Sequence, residues 1–460
     1  MGDFANYVLS VGPWVVGAVA LGVFLWALLL ISATSATGVV ILLGAIYVLE
    51  NAPFTRLGVN LGLWIYPDDL FGMLASGGLA FRLLVLRLWN RIPAVWWAFG
   101  VVQVAVFLWG VPQYRTAAAV EFRPTFYVWV GAALLSTFGY RAVSGRRYAA
   151  LLIGLALALC AIACYRWGMA SIDPEFEREL LISVADTGIW YRVITSGCAF
   201  VIALAMLACI HYAASNERAP FHFLLAVVFA GFVLVLQHRS VWLASFAGAT
   251  VLVYAHSQKG GAFVRRLSAA LVVITAAAAV GASSFGNLSE SVQTQAQRAV
   301  DLNEGTSGAR VEGWEILLRE WATSGSPVTY LAGRPNGSGF TRYQGKYGEN
   351  KIEFMPHNYY VVLLLRGGLI QIAVVGWLLV SARRTLLRRM RDRSDGFAPA
   401  LAAMFVALVV YWITYSIETP QLLVIGPVLA AMASDRVRRD TAQATDIVAE
   451  FPEPAANFRT

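Results

Sequence analysis

Apolar runs of about twenty residues recur along nearly the whole chain and are separated by short polar gaps. A helix of roughly this length crosses the ~30 Å hydrocarbon core of a bilayer. The pattern predicts an all-α polytopic membrane protein with about twelve transmembrane helices, or thirteen if the short second run also crosses. The predicted spans are 12–33, 36–50, 66–86, 93–112, 124–140, 147–168, 189–213, 219–236, 238–256, 266–284, 357–381, 398–415 and 420–434.

The spacing of these runs divides the chain into four parts. Residues 1–284 are predicted to form an N-terminal helix bundle, and residues 357–434 the C-terminal membrane helices. The loop between them, 285–356, is far longer than a connection needs and therefore indicates a functional element. The polar segment 435–460 contains two prolines and is predicted to be a disordered cytoplasmic tail.

Composition and charge agree with a membrane protein and give it an orientation. The chain is 58% hydrophobic and 13% charged, whereas soluble proteins carry about 25% charged residues. Its formal charge of +8 arises from arginines in short gaps between apolar runs, with six of them in 382–393. Such clusters mark cytoplasmic loops, so the charge requires no nucleic acid partner. The loop 285–356, the acidic connection 171–188 and the turn 236–240 are then on the outer side of the membrane.

The long loop contains a predicted amphipathic helix near residues 308–323. Ser307 is a plausible N-cap, and Arg310 would lie in the first turn, where unpaired backbone N–H groups favour an anionic ligand. The alternative is a surface helix whose arginine faces water. The Gly-, Ser- and Tyr-rich segment 331–348 is expected to be flexible or to embrace a ligand, with little to bury. The apolar stripe of the helix consists of Val311, Trp314, Leu317, Leu318 and Trp321.

Two of the five histidines, His238 and His357, are predicted at the outer surface, and the other three on the cytoplasmic side. A lone histidine near a helix end is usually structural, but His357 can share its layer with Arg239 and Arg310. A neutral imidazole accepts a proton from a hydroxyl, and arginines bind phosphate oxygens. The group indicates an alcohol that attacks a carbon bearing a lipid-linked phosphate or diphosphate leaving group. The sequence therefore predicts glycosyl transfer from a polyprenyl carrier.

Carboxylates offer only a weak indication of a metal on the outer side. No Asp-x-Asp pattern occurs there; Asp68 and Asp69 adjoin, and Asp173 lies near Glu175. Because arginines can take up the charge of the leaving group, we expect a metal-independent reaction without a cofactor. The four cysteines all lie in apolar helices and are expected to be packing residues.

Segments from "HRSVWLA" to "HNYYVVLLLRGGLI" resemble the O-antigen ligase and O-antigen polymerase superfamily of bacterial glycosyltransferases. Arg239 stands where that family has an arginine at the outer end of a span, and Arg310 is followed by Trp314 as in its loop motif. His357 stands where the family has its catalytic histidine. The separations of 71 and 47 residues along 239, 310 and 357 fit the pattern.

The resemblance implies a GT-C-like protein of the bacterial inner membrane with its active site at the periplasmic face. The donor would be an undecaprenyl diphosphate glycan, and His357, Arg239 and Arg310 would be catalytic. The acceptor would be lipid A–core in a ligase, towards which we lean, or a lipid-linked repeat unit in a polymerase. The expected substrate-binding residues are Asn358, Tyr359, Trp314, Arg334 and His238.

Two departures from the family pattern and one different function remain open. The chain has Arg366-Gly367-Gly368 where an acidic residue and a glycine are common, and Arg334-Pro335 where a glycine-rich turn is common. Arg366 would either pair with an acid or reach the carrier phosphates. A transporter or flippase of lipid-linked glycans is the alternative class, but it would show internal symmetry and midplane charges, which we do not find.

Overall fold

A computed structural model of the protein describes nine ranges of residues, which are almost entirely helical. These are 25–51, 59–60, 64–172, 193–215, 219–257, 305–344, 350–353, 355–392 and 395–450. The first helices are α1 (Leu25–Thr34), α2 (Ala36–Glu50), α3 (Pro67–Leu84), α4 (Ala94–Tyr114), α5 (Thr116–Thr137), α6 (Gly145–Ile172) and α7 (Ser196–Ser215). They are followed by α8 (Ala219–Val235), α9 (Arg239–Ser257), α10 (Gly305–Ala322), α11 (Pro327–Ala332), α12 (Tyr359–Arg391), α13 (Ala398–Thr414) and α14 (Leu422–Glu450).

Two short antiparallel strand pairs accompany the helices in these ranges. Strands β1 (Val59–Asn60) and β2 (Trp64–Ile65) precede α3, whereas β3 (Arg342–Gln344) and β4 (Asn350–Ile352) follow α11. The prediction of an all-α fold is therefore confirmed in its main feature.

Four described helices are long and apolar enough to cross a membrane, namely α4, α6, α7 and α12. Four others, α1, α2, α8 and α13, are apolar but shorter than eighteen residues. This character is that of a membrane protein. The number of crossings and their orientation stay predictions.

Three helices depart from the predicted spans for identifiable reasons. Helix α5 begins at Thr116 rather than near 124, because a tight turn at Arg115, with φ of 48°, joins it directly to α4. Helix α12 continues ten residues beyond 381 through the arginine cluster. The prediction of a disordered tail is wrong for residues 435–450, which continue α14. Where this part begins, Asp435 accepts a 2.7 Å hydrogen bond from Arg389 of α12. Residues 451–460 and the predicted span 266–284 lie outside the described ranges.

The centre of the bundle is α7, in which nearly every residue is buried. It packs against α6, α8, α9 and α13. Gly248 lets α9 lie directly on α13, because a Cβ there would meet the carbonyl oxygen of Ala403 at 2.9 Å. Three cysteines are buried in this interior, and Cys164 is exposed on α6, so their predicted packing role is confirmed for three of the four.

Helix α12 is interrupted two to three turns after its start. Asn358 caps it by accepting a hydrogen bond from the Val361 N–H at 3.1 Å. Gly368 has φ of 58° and ψ of −155°, a conformation that essentially only glycine adopts. The Leu365 carbonyl accepts from the Arg334 N–H at 2.7 Å, so the loop after α11 supplies a partner at the break.

The two ends of the bundle separate the histidines as the sequence predicts. His357 precedes α12, and His238 precedes α9, at one end. At the opposite end, His211 Nδ1 lies 3.2 Å from His256 Nε2, and the His222 ring packs on Tyr212. We call the end that carries His357 and His238 the His357 end.

Candidate functional site

His357 lies in the short segment that leads into α12, partly buried beside the end of α13. Its ring centroid is 5.1 Å from that of Tyr415, which follows α13. The segment is fixed from both sides, because Asn358 caps α12 and the Tyr359 N–H donates to the Tyr415 carbonyl at 3.0 Å. The imidazole therefore has a defined position at the mouth of the bundle.

Arg310 reaches the same place from α10. Its Nη1 lies 3.5 Å from the carbonyl oxygen of Thr414, the last residue of α13. Helix α10 begins at Gly305, so Ser307 is inside the helix and the predicted N-cap is wrong. Arg310 consequently lies beyond the first turn, and its interaction with a ligand would depend on the guanidinium rather than on free backbone N–H groups.

The rest of α10 follows the predicted amphipathic pattern. Leu317 is buried, and Trp314, Leu318 and Trp321 pack against the core, whereas Val311 is exposed. The Trp314 Nε1–H is buried and has no hydrogen-bond partner among the described residues. Since a buried indole N–H normally finds an acceptor, this donor suits a bound polar ligand.

A further arginine at the site, Arg342, was not predicted from the sequence. It lies on β3 and is buried, and its Nη1 donates to the Phe340 carbonyl at 3.2 Å. Strand β3 packs on α10 at Gly313, where a Cβ would overlap the side chains of Arg342 and Gln344. The expectation that segment 331–348 has little to bury is wrong where the structure describes it. The buried side chains there are Asn336, Phe340, Arg342 and Gln344.

The two arginines change the acidity of the histidine. The pKa of His357 falls from 6.5 to about 4, first because the ring is withdrawn from water and then because Arg310 and Arg342 repel a proton on it. Burial also lowers the pKa of both arginines, although guanidinium groups remain charged. At neutral pH the site therefore holds a neutral imidazole near two cations, a combination that favours an anion beside a proton acceptor.

Arg239 and His238 lie at the start of α9, next to this group. Ser240, which follows Arg239, places its Oγ 3.4 Å from the same Thr414 carbonyl that Arg310 approaches. His238 Nε2 lies 3.0 Å from the carbonyl oxygen of Ile194, so it also anchors the segment before α7. The structure thus brings the start of α9, the end of α13 and α10 together at the Thr414 carbonyl. A catalytic role of Arg239 stays a prediction.

The other predicted substrate-binding residues have structural contacts of their own. Asn358 is the α12 cap, and Tyr359 is almost fully buried, packed on Trp412 with ring centroids 5.1 Å apart. Arg334 pairs with Glu320 of α10 at 3.3 Å. Tyr360 donates to the Val409 carbonyl at 3.1 Å and so joins α12 to α13. Substrate contacts by Asn358, Tyr359 and Arg334 stay predictions.

Arg366 forms an ion pair with Glu121 of α5, which resolves the choice that its sequence position left open. Its Nη2 donates to Glu121 Oε2 at 3.1 Å, and its Nε bonds Oε1 of the same carboxylate. The guanidinium also donates to Ser338 Oγ and the Gly339 carbonyl, each at 2.7 Å, and stacks over the Phe340 ring. This pair therefore fixes the loop that leads to Arg342.

A further acid, Glu418, lies close to the site in the loop after α13. Its carboxylate accepts from the Tyr411 hydroxyl at 3.1 Å, and Tyr411 packs on Tyr415 beside His357. Burial raises the pKa of Glu418 to about 7, with a smaller contribution from Asp68. In the sequence this residue falls in the short connection between two predicted spans, and no motif marks it.

Asp69, considered from the sequence as a metal ligand, is held by local contacts. It accepts from the Tyr66 N–H at 2.7 Å and pairs with Arg123 at 3.3 Å. In the part of the chain that the structure describes, no three His, Cys, Asp or Glu side chains are grouped as metal ligands. Asp173 and Glu175 lie outside that part.

No family model matches this chain, and no curated protein matches it significantly. Its function is therefore argued from the site.

Proposed function

We propose that this protein is an inverting membrane glycosyltransferase that moves a glycan from undecaprenyl diphosphate to an acceptor hydroxyl at the His357 end. The observation that carries the proposal is the neutral His357 held beside the cations Arg310 and Arg342. A base for a hydroxyl and cations for a leaving diphosphate are the two requirements of this reaction. We further propose that the site faces the periplasm from a bacterial inner membrane.

The proposed step proceeds by direct displacement. The acceptor oxygen attacks the anomeric carbon from the side opposite the diphosphate, and its proton passes to the imidazole of His357. The bond between the anomeric carbon and the diphosphate oxygen breaks, and its electron pair remains on the diphosphate. Arg310, Arg342 and, from the start of α9, Arg239 stabilise this charge as it develops. The configuration at the anomeric carbon is inverted.

The electrostatics of the site couple donor binding to base strength. Burial, together with Arg310 and Arg342, lowers the pKa of His357 to about 4. A diphosphate bound between the arginines would oppose their repulsion of a proton, so the pKa of His357 would rise towards the operating pH. A base whose pKa lies near the operating pH is the most effective, so the bound donor would itself strengthen the catalyst.

The proposal is tested by transfer in nanodiscs that contain the purified protein and an undecaprenyl diphosphate oligosaccharide. Release of undecaprenyl diphosphate is followed with lipid A–core or a lipid-linked repeat unit as acceptor, in the presence and absence of EDTA. Transfer to lipid A–core indicates a ligase, and transfer to the repeat unit a polymerase. We expect the reaction to survive EDTA.

Variants locate the chemistry. His357→Ala should slow transfer about 10²–10⁴-fold, as for a lost general base. Arg310→Gln and Arg342→Gln should each slow it roughly 10²-fold or more. The matched controls are His222→Ala at the opposite end and Arg319→Gln, an exposed arginine on the same helix as Arg310. Full activity in His357→Ala would overturn the mechanism. Binding of the donor without release of undecaprenyl diphosphate, whichever acceptor is added, would favour the transport alternative.

A further inference from the structure

A small polar cavity lies between α4, α5, the start of α12 and the loop that follows α11. It offers about 10 Å³ to the centre of a water molecule, close to the roughly 10–15 Å³ that one bound water needs. A sugar ring or a phosphate group is too large for this space. The lining residues with polar side chains are Gln103, Glu121, Thr125, Asn336, Tyr359 and Arg366.

The loop after α11 forms one wall of the cavity because it runs directly against two helices. The Asn336 N–H donates to the Val106 carbonyl of α4 at 3.4 Å. The Gly337 N–H donates to Glu121 Oε2 of α5 at 2.9 Å. Gly110 permits this approach, because a Cβ there would overlap the Asn336 carbonyl oxygen. Irregular backbone beside a membrane helix is tolerated where it is buried in protein or lines a hydrated cavity.

Two side chains of the lining are buried with a polar atom that lacks a hydrogen-bond partner among the described residues. These atoms are Asn336 Nδ2 and the Tyr359 hydroxyl, on residues that are 3% and 1% exposed. Thr125 of α5 interacts with the Tyr359 hydroxyl, but the pair does not reach hydrogen-bond geometry. Since buried polar atoms almost always pair with protein or with water, these two atoms point to a bound ligand.

Water fits the chemistry of these groups. It can accept from Asn336 Nδ2–H and at the same time pair with the Tyr359 hydroxyl as donor or acceptor. A buried water usually makes about three hydrogen bonds, and Thr125 and Gln103 offer a hydroxyl and an amide for the third. A metal cation is disfavoured, because the Arg366 guanidinium lines the same cavity.

We propose that this cavity binds one water molecule, which bridges the Asn336 amide and the Tyr359 hydroxyl. The bridge joins the loop after α11 to the first turn of α12, close to His357 in the chain. It assigns the Tyr359 hydroxyl to water rather than to the substrate contact predicted from the sequence. The site goes beyond the proposed glycan transfer, and its test does not use that reaction.

The test is hydroxyl-radical labelling of the full chain in nanodiscs. An X-ray pulse generates the radicals from water, and mass spectrometry locates the oxidised side chains, so a buried side chain is oxidised quickly only where water lies beside it. The control within the chain is Tyr148, which is as buried as Tyr359 and donates its hydroxyl proton to the Leu423 carbonyl.

A pair of variants tests the bridge itself. Asn336→Leu removes the amide that binds the water and keeps a side chain of similar size. The matched control is Gln371→Leu, which removes another fully buried amide without a described partner, on α12 and outside the cavity lining. Melting temperatures establish that both variants are folded.

Each outcome decides the proposal. We expect Tyr359 to be oxidised several-fold faster than Tyr148 in the wild type and in Gln371→Leu, and this excess to be lost in Asn336→Leu. Equal rates for the two tyrosines in the wild type would overturn the site, whether or not Asn336→Leu folds. An excess that persists in folded Asn336→Leu would overturn the bridge, because water would then reach Tyr359 without the amide.

Discussion

Replacing Arg310 by glutamine should raise the pKa of His357 by a limited and calculable amount. The wild-type pKa is lowered from 6.5 to about 4 by burial, Arg310 and Arg342, in that order of size. Because Arg310 is the second of three contributions with the same sign, it accounts for no more than half of the difference. Half of that difference is about 1.25 pH units, so the variant should show a pKa of at most about 5.3, a change of roughly 1.7 kcal/mol or less at about 1.36 kcal/mol per pH unit.

The pKa is measured by NMR of ¹⁵N-labelled histidine in nanodiscs across pH 3.5 to 8, with His357→Gln identifying the resonance. The matched control is Arg319→Gln, which removes from the same helix an exposed charge that pairs with Glu315. Adding inorganic pyrophosphate to the wild type should also raise the pKa, because it neutralises the same arginines. An Arg310→Gln spectrum that titrates as the wild type does would refute the electrostatic account of the site.

Three further changes probe the elements that position the site. Glu121→Ala leaves the Arg366 guanidinium buried without its carboxylate and should cost about 3–5 kcal/mol of stability, read from thermal unfolding in detergent. Gly313→Ala pushes Arg342 off α10 and should slow transfer at least about tenfold while the melting temperature changes little. His357→Gln should melt higher than the wild type at pH 4–5 but not at pH 7. The folded pKa of His357 is depressed, so the wild type loses up to roughly 3 kcal/mol as pH falls from about 6.5 to about 4.

Controls separate these effects from general damage. Gly154→Ala on α6 has open space around its Cβ and should preserve both transfer and melting. An unchanged melting temperature in Glu121→Ala would contradict the role given to the ion pair. Parallel melting curves for His357→Gln and the wild type at every pH would show that the histidine titrates normally in the folded protein.

The apolar runs of the sequence were sufficient to predict the apolar helices. A helix that spans a bilayer needs a long run of apolar side chains whatever its neighbours are. The amphipathic helix of the long loop was predicted for the same reason, because its stripe is a local pattern. Boundaries failed where local signals conflicted with packing. The fifth span was predicted to begin near 124, yet Pro124 lies inside α5. The polar run from Asp435 was predicted to be disordered, yet it continues α14, and Asp435 pairs with Arg389 of α12.

Tertiary structure alone decided which charges meet. Arg366 and Glu121 are 245 residues apart, and the prediction that started the fifth span near 124 left Glu121 in a connection. Arg342 reached the site through a strand that packs on Gly313, and a glycine-rich segment gives no periodic signal for such a strand. A sequence motif can bring His357, Arg239 and Arg310 to attention as separate residues. The depressed pKa of His357 depends on burial and on the distances between side chains, which only the folded chain fixes.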